Sequence, residues 1–86
     1  MTPSEYEYLQ KLIDDGAVTM DQAIYIQRVG NNNPRYEMEF TVCDHGGVIV
    51  EVFPTIGLRQ RGTIFGVRRD GSFVDNALNP DWKGDK

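Results

Sequence analysis

Residues Arg35 to Phe53 read RYEMEFTVCDHGGVIVEVF, and this stretch decides the fold. Its first half alternates between apolar and polar residues, with Phe40 near the centre of the apolar set, which is typical of a half-buried β-strand. Its second half, Val48 to Phe53, is a short run of β-branched and aromatic residues, and Gly46-Gly47 lies between the halves. The pattern predicts a β-hairpin.

The length of the loop sets the register of this hairpin, and therefore which side chains share a face. An even number of loop residues would place apolar residues of one strand opposite an acidic residue of the other. A three-residue loop, His45-Gly46-Gly47, instead pairs Phe40 with Val52 and supplies a glycine for the left-handed residue that such loops require. We therefore predict the three-residue loop, with Phe40 in the core.

Length and composition indicate a single globular domain with one modest core. The chain has 86 residues, an apolar fraction of 40% and a net charge of −4, which is too apolar and too weakly charged for a disordered chain. No apolar run approaches the roughly 20 residues that span a bilayer, and no basic-then-apolar leader is present, so we expect a cytoplasmic protein without a membrane partner. The single cysteine excludes an internal disulfide framework and fits a reducing compartment.

The N-terminal third of the chain predicts two short helices joined as a hairpin. Each helix opens with a capping box, Thr2 to Glu5 in the first and Thr19 to Gln22 in the second, and Gly16 and Gly30 are placed to end them. Apolar residues recur at helical spacing in both segments: Tyr6, Leu9, Leu12 and Ile13, then Met20, Ala23, Ile24, Ile26 and Val29. Helices of this length are unstable alone, so both are expected to pack on the sheet.

Part of this hairpin resembles a known helical module. Between Leu9 and Thr19, leucines precede a Gly-x-Val-Thr pattern that begins at Gly16 and is followed by an acidic residue. This stretch resembles the helical hairpin of SHOCT-type modules, although Ala23 stands where that family usually has an aromatic residue. The resemblance covers less than a quarter of the chain and implies a helical hairpin only.

The second half of the sheet is predicted from a third apolar run and a turn. Residues 63–69 read as a strand, and Asp70-Gly71 predicts a two-residue turn into a fourth strand, Ser72 to Asp75. A two-residue turn at this place would pair Val67 with Val74.

The predicted fold class is α+β, with an N-terminal αα-hairpin packed on an antiparallel β-meander of three or four strands in two layers. We expect one domain over residues 1–86, in which residues 1–30 form the helical hairpin, 35–75 the antiparallel sheet and 76–86 a C-terminal tail.

Cys43-Asp44-His45 is the only cluster of residue types used in catalysis or metal binding. A reactive thiolate needs a nearby imidazole, and zinc needs three or four ligands, but these neighbours share a turn and the chain has no second histidine or cysteine. Glu37 and Glu39 lie on the polar face of an alternating strand, where solvated charges belong. We therefore expect no enzyme, no cofactor and no metal, with an enzyme using Cys43 and His45 as the second alternative.

Four arginines lie within eleven positions, Arg59 and Arg61 in a glycine-bounded loop and Arg68 and Arg69 beside the last turn. Guanidinium groups recognise carboxylates and phosphates in planar, bidentate geometry. Nucleic-acid-binding modules usually have a basic excess, which this chain of net charge −4 lacks. We expect the arginines to contact another protein, and a nucleic-acid-binding module that uses the same four residues is the first alternative.

The predicted sheet has apolar residues on both faces, whereas two short helices can cover only one. The face opposite Phe40 is expected to hold Cys43, Ile49, Phe53, Ile64 and Phe73. Apolar patches rimmed by charge mark interaction surfaces. Either the C-terminal tail folds back over this face with Leu78 and Trp82, or a partner covers it, and a two-fold axis would let one patch cover its own copy in a homodimer.

Taken together, these features predict a small non-enzymatic interaction protein, an accessory regulator or inhibitor of the kind that phages and other mobile elements encode. Its partner is expected to be another macromolecule, and a protein before a nucleic acid. The expected partner-binding residues are Arg59, Arg61, Arg68, Arg69, Ile49, Phe53 and Phe73.

Overall fold

The computed structural model describes residues 1–44, 46–55, 63–74 and 81–84. In chain order these residues form helices α1 (Pro3–Asp14) and α2 (Met20–Asn32), then strands β1 (Tyr36–Val42), β2 (Val48–Pro54) and β3 (Thr63–Val67). The strands make one antiparallel sheet in the order β1-β2-β3, which confirms the predicted α+β class and meander. Within the described ranges no helix is long and apolar enough to cross a membrane.

Both helices begin at the capping boxes that the sequence predicts. The Thr2 hydroxyl accepts a hydrogen bond from the Glu5 amide at 3.2 Å, and the Glu5 carboxylate accepts one from the Thr2 amide at 2.9 Å. Thr19 and Gln22 make the same reciprocal pair at the start of α2. Gly16 follows the end of α1 with a φ of +74°, a left-handed conformation that favours glycine.

Helix α2 does not end at Gly30, as the sequence suggested, but continues to Asn32. Gly30 is buried, and a Cβ at this position would overlap the side chain of Met1 and lie 3.4 Å from the Cε atom of Met38. The glycine therefore allows close packing around α2 instead of terminating the helix.

The core lies between the two helices and one face of the sheet. Its buried side chains are Leu9, Leu12, Ala17, Val18, Ala23, Ile26, Val29, Met38, Val48, Val50, Val52, Phe65 and Val67. Among the described residues, Phe65 is the largest side chain that is fully buried. Phe40, expected in the core, is only partly buried and stacks on Tyr8 with the ring centroids 5.5 Å apart. Met20 and Ile24, which fit the helical pattern of α2, are exposed.

One buried amide joins α2 to the end of the sheet. The Nε2 atom of Gln22 donates to the carbonyl oxygens of Arg68 at 2.7 Å and Ser72 at 3.1 Å, while its Oε1 atom accepts from the Thr19 amide. Gln22 is 0% exposed. Its side chain therefore has a partner for each of its polar atoms, as burial of a polar group requires.

The β1–β2 hairpin has a three-residue loop, but its position differs from the predicted one. The Cys43 amide donates to the Gly47 carbonyl at 2.7 Å and the Gly46 amide to the Cys43 carbonyl at 2.9 Å, so the loop is residues 44–46, with Gly46 at a φ of +87°. Phe40 consequently lies opposite Val50. The register differs from the prediction by two residues, so every side chain keeps its predicted face.

The turn after β3 also contains three residues, and the prediction of two was wrong. The Arg68 amide donates to the Ser72 carbonyl at 2.8 Å, and the Gly71 amide donates to the Arg68 carbonyl at 3.0 Å. A two-residue type I′ turn needs positive φ at both central positions, and among the described residues only glycines have positive φ. Asp70 instead accepts hydrogen bonds from the Ser72 hydroxyl and amide, and these bonds lower the pKa of its carboxyl group.

The additional turn residue exchanges the faces of the next two side chains. Val67 bridges to Phe73, not to Val74. The Phe73 ring faces the helices, where it lies 4.7 Å from the ring of Tyr25, so its assignment to the opposite face was wrong. Val74 takes that place and packs against Gly66. Asp75, the predicted end of a fourth strand, lies outside the described residues.

The described part of the C-terminal tail folds back on the helix side of the sheet. Buried Asn33 donates through Nδ2 to the Trp82 carbonyl at 2.8 Å and accepts from the Gly84 amide at 3.0 Å. The Trp82 ring meets Tyr36 edge to face, with the centroids 5.8 Å apart. Leu78 lies outside the described residues. Residues 81–84 therefore do not cover the opposite face. The alternative was wrong for Trp82, and its part that concerns Leu78 stays untested.

Tyr25 provides a test of polar burial in this core. Its hydroxyl is buried without a hydrogen-bond partner among the described residues, and burial raises the pKa of the phenol. We expect Tyr25→Phe to raise the free energy of unfolding by about 1 kcal/mol at neutral pH, because an unsatisfied polar atom is removed. The stability difference between Tyr25→Phe and the wild type should grow above about pH 10. There Tyr25 ionises in the unfolded chain but not yet in the folded one, so the stability of the wild type falls.

Urea denaturation at neutral pH and near pH 10.5 measures both effects. Tyr8→Phe, at an exposed tyrosine, is the control and should change stability by less than about 0.5 kcal/mol at neutral pH. A loss of stability in Tyr25→Phe at neutral pH would show that the hydroxyl has a partner.

Candidate protein-binding surface

We call the face of the sheet that points away from the helices the second face. Its apolar members among the described residues are Cys43, Ile49, Phe53, Ile64 and Val74. Ile49 is 43% exposed, and the other four are half-buried. Four of the five residues predicted for this face are therefore on it, and Val74 replaces Phe73.

A groove of about 490 Å³ crosses the second face where the two glycine turns come together, and we call it the turn groove. It is lined by residues of the two turns and their flanks and by residues of the strands. These are Cys43, Gly47, Arg68, Arg69 and Asp70 from the turns and flanks, and Val48, Ile49, Gly66, Val67 and Val74 from the strands and the segment after the last turn. Gly66 has no side chain to fill the groove, and a Cβ there would lie 3.1 Å from Val74 Cγ2. The groove thus combines an apolar strand surface with charged groups at one end.

Arg69 connects the two turns. A Cβ at Gly46 would lie 2.7 Å from the Cδ atom of Arg69, so the arginine stem passes directly over this glycine. Position 46 requires glycine both for this close approach and for its positive φ. Arg68 is also held, because its Nη1 atom donates to the carbonyl of Phe73 at 2.8 Å. Both guanidinium groups therefore belong to the end of the sheet that forms the turn groove.

The structure brings together only some of the predicted binding residues. Ile49, Arg68 and Arg69 all line the turn groove. Phe53 is on the same face but pairs with Glu37, near the opposite end of the sheet. Arg59 and Arg61 lie outside the described residues.

Two contributors to the groove, Val74 and Gly66, were missed by the sequence analysis. The signal that could have found Val74 is Asp70 followed two residues later by Ser72, because an aspartate that bonds to Ser72 favours a longer turn. Gly66 could have been recognised as a glycine inside a strand, which often marks a close approach of another group.

The residues suggested for catalysis are only partly described. Cys43 is a free, half-buried thiol at the turn groove, and His45 lies outside the described residues. Within the described ranges no group of three or more histidine, cysteine, aspartate or glutamate residues could hold a metal ion.

Comparison with known proteins gave no match. No family model fits the chain, and neither a curated protein nor a solved structure is detectably similar to it. The short resemblance between Leu9 and Thr19 to SHOCT-type modules gains no support from the family comparison.

Proposed function

We propose that this chain is a non-enzymatic interaction protein that binds another protein through the second face, with Arg68 and Arg69 contacting the partner at the turn groove. The observation that carries the proposal is the turn groove itself, an apolar concavity of about 490 Å³ that the described residues leave open. Its volume lies in the range of ligand-binding clefts. A small accessory regulator or inhibitor acts by such a surface and needs no catalytic residues.

A protein partner fits this surface better than a nucleic acid does. The groove is lined mainly by apolar side chains and glycines, with Arg68 and Arg69 opposed by Asp70. Nucleic-acid binding relies on a basic surface that neutralises phosphates, whereas the whole chain has a net charge of −4. Binding of an oligonucleotide that weakens steeply with salt would favour the nucleic-acid alternative.

A second copy of the chain is also a candidate partner. The second face presents Ile49 at its centre, and a two-fold axis would let this residue pack near its own copy. In a homodimer of this kind the charged end of the turn groove would remain near the rim. There the arginines would influence the rate and specificity of binding more than assembly.

The test compares two isoleucines of similar exposure. Ile49 on the second face is 43% exposed, and Ile24 on α2 is 49% exposed. We expect Ile49→Arg to remove self-association and partner binding, because a charge would be buried in an apolar interface, while Ile24→Arg keeps both. Sedimentation velocity across a concentration series measures self-association, and quantitative mass spectrometry of proteins captured from the native host measures partner binding.

Circular dichroism of both variants should match the wild type, because both positions are exposed. Equal effects of Ile49→Arg and Ile24→Arg on captured proteins would contradict the assignment of binding to the second face. A wild-type protein that stays monomeric at high concentration would exclude the homodimer and leave a different protein as the partner.

A further inference from the structure

The two edges of the sheet differ in how their backbone groups are used. At the β3 edge, the segment after the last turn supplies partners: the Ser72 carbonyl accepts from Arg68, and the Val74 amide donates to Gly66. Among the described strands, β2 is the only neighbour of β1, so the other edge of β1 is unpaired there. An edge of this kind can accept an additional strand.

The direction of each backbone group in β1 follows from its bonds to β2. Thr55 donates to the Arg35 carbonyl at 3.1 Å, and Cys43 donates to the Gly47 carbonyl at 2.7 Å, so the odd-numbered residues of β1 bond to β2. The amide and carbonyl groups of its even-numbered residues therefore point to the edge. One of these, the amide of Met38, donates to Glu5 Oε2 at 2.8 Å.

Beyond Met38 the edge is open. In the described part of the chain, the outward amide and carbonyl groups of Phe40 and Val42 have no hydrogen-bond partner. Val42 is 47% exposed, and Thr41 between them is exposed. The side chain of Glu5 thus closes the first part of the edge and leaves about two residues of ladder for an incoming strand.

A groove of about 270 Å³ lies beside this open edge. It is lined by Ser4, Glu5, Tyr8, Met38, Glu39 and Phe40. The stacked rings of Tyr8 and Phe40 give it an apolar surface onto which a side chain of an added strand can pack. Backbone bonds and a side-chain groove on one edge are the two elements of recognition by strand addition.

The charge of this groove selects the occupant. Its lining contains the carboxylate of Glu5 and no basic residue; Glu39 also lines it, but its side chain lies on the second face. Within the described residues, Glu5 accepts hydrogen bonds only from the amides of Thr2 and Met38, which are neutral, so no described cation pairs with its carboxylate. A second copy would bring another Glu5 carboxylate to the same edge, and nucleic acid would bring phosphates, so like-charge repulsion opposes both.

We propose that the open edge of β1 and its acidic groove bind an extended, basic segment of another polypeptide by strand addition. This site is separate from the second face and does not depend on the function proposed for that face.

The test uses a synthetic peptide of about eight alternating lysine and valine residues, blocked at both ends, as the probe. Titration into the full chain, followed by ¹H–¹⁵N NMR, should give saturable shifts at the amides of Phe40 and Val42. A matched peptide with glutamate in place of lysine should bind at least about tenfold more weakly. A lysine–valine peptide with alternate backbone amides methylated, which cannot form the ladder, should not bind.

Variants of the chain test the backbone and the charge separately. Val42→Pro removes an outward amide without removing a bond to β2 and should weaken binding roughly tenfold. At exposed Ser4, Ser4→Lys should weaken binding roughly threefold and Ser4→Glu should strengthen it. If Val42→Pro fails to fold, the two Ser4 variants still test whether the charge of the groove determines peptide binding.

Ile49→Arg, on the second face, should leave peptide binding unchanged, which separates this site from the proposed function. Equal binding of the lysine and glutamate peptides would overturn the proposal. So would the absence of saturable binding, or shifts confined to Ile49, Gly66 and Val74.

Discussion

Phe65→Ala should lower the free energy of unfolding by about 3–5 kcal/mol. Phe65 is 0% exposed, and the ring of Tyr25 meets it edge to face with the centroids 5.6 Å apart. Truncation removes this buried area and leaves a cavity between α2 and β3. Because small domains are stable by only about 5–15 kcal/mol, the change should remove a large share of the total. The midpoint of urea denaturation at unchanged m-value measures it.

Phe40→Ala is the matched control for this prediction. Phe40 is an aromatic residue of the same sheet, but it is partly exposed and lies against Tyr8 at the margin of the core. Since only part of its area leaves water on folding, the expected loss is about 1–2 kcal/mol. A larger loss at Phe40 than at Phe65 would show that the core is centred under β1 and not under β3.

Gln22→Leu should lower the free energy of unfolding by about 2–4 kcal/mol, although leucine is apolar and of similar size. The substitution removes the partner of the Thr19 amide and of the carbonyls of Arg68 and Ser72. Each of these groups would lose a hydrogen bond where α2 meets the last turn. Urea denaturation measures the loss, and hydrogen exchange at Gly71 should accelerate more than exchange in β2.

Gln22→Glu adds a pH dependence with a defined sign. At neutral pH the introduced carboxylate would be buried opposite two carbonyl oxygens, which disfavours the charged form and raises the folded-state pKa above its unfolded value near 4.3. The stability contributed by the protonated form is therefore present below about pH 4 and lost as the pH rises. The deficit relative to wild type should be larger at pH 7 than at pH 4. A deficit that does not change with pH would show that water reaches position 22.

The helices and the inner face of the sheet could be predicted because their signals are local. A capping box needs only four consecutive residues, and both boxes form as expected. The alternation in β1 and β2 assigns side chains to faces, and an error of two residues in the register leaves those faces unchanged. The buried positions Val50 and Val52 were predicted for this reason.

The last turn could not be predicted in the same way, because Asp70-Gly71 fits two turn lengths. The dipeptide is typical of a type I′ turn, but here the hydrogen bonds from Ser72 to Asp70 stabilise a longer turn. One additional turn residue reverses the face of every residue that follows. The composition of the turn groove, with Val74 in place of Phe73, depends on that single residue.

Long-range packing explains the other differences. Gly30 was expected to end α2, but its role depends on Met1 and Met38, which are distant in sequence and close in space. The edge groove of β1 depends in the same way on Glu5, whose carboxylate serves both the capping box and the amide of Met38. The sequence pattern at the start of α1 predicts the capping-box contact of Glu5, but it cannot predict the contact of Glu5 with the amide of Met38.

The tail that Asn33 holds has a spectroscopic consequence, because it contains the only tryptophan of the chain. Next to Trp82, Asp81 forms an ion pair with Arg28 at 2.6 Å, in which both side chains are more than half exposed. Exposed ion pairs contribute little stability, and chain ends open at lower free energy than core strands. Intrinsic fluorescence therefore follows the docking of residues 81–84, whereas far-ultraviolet circular dichroism follows α1 and α2. If the tail opens before the core, the fluorescence transition occurs at a lower denaturant concentration than the circular dichroism transition.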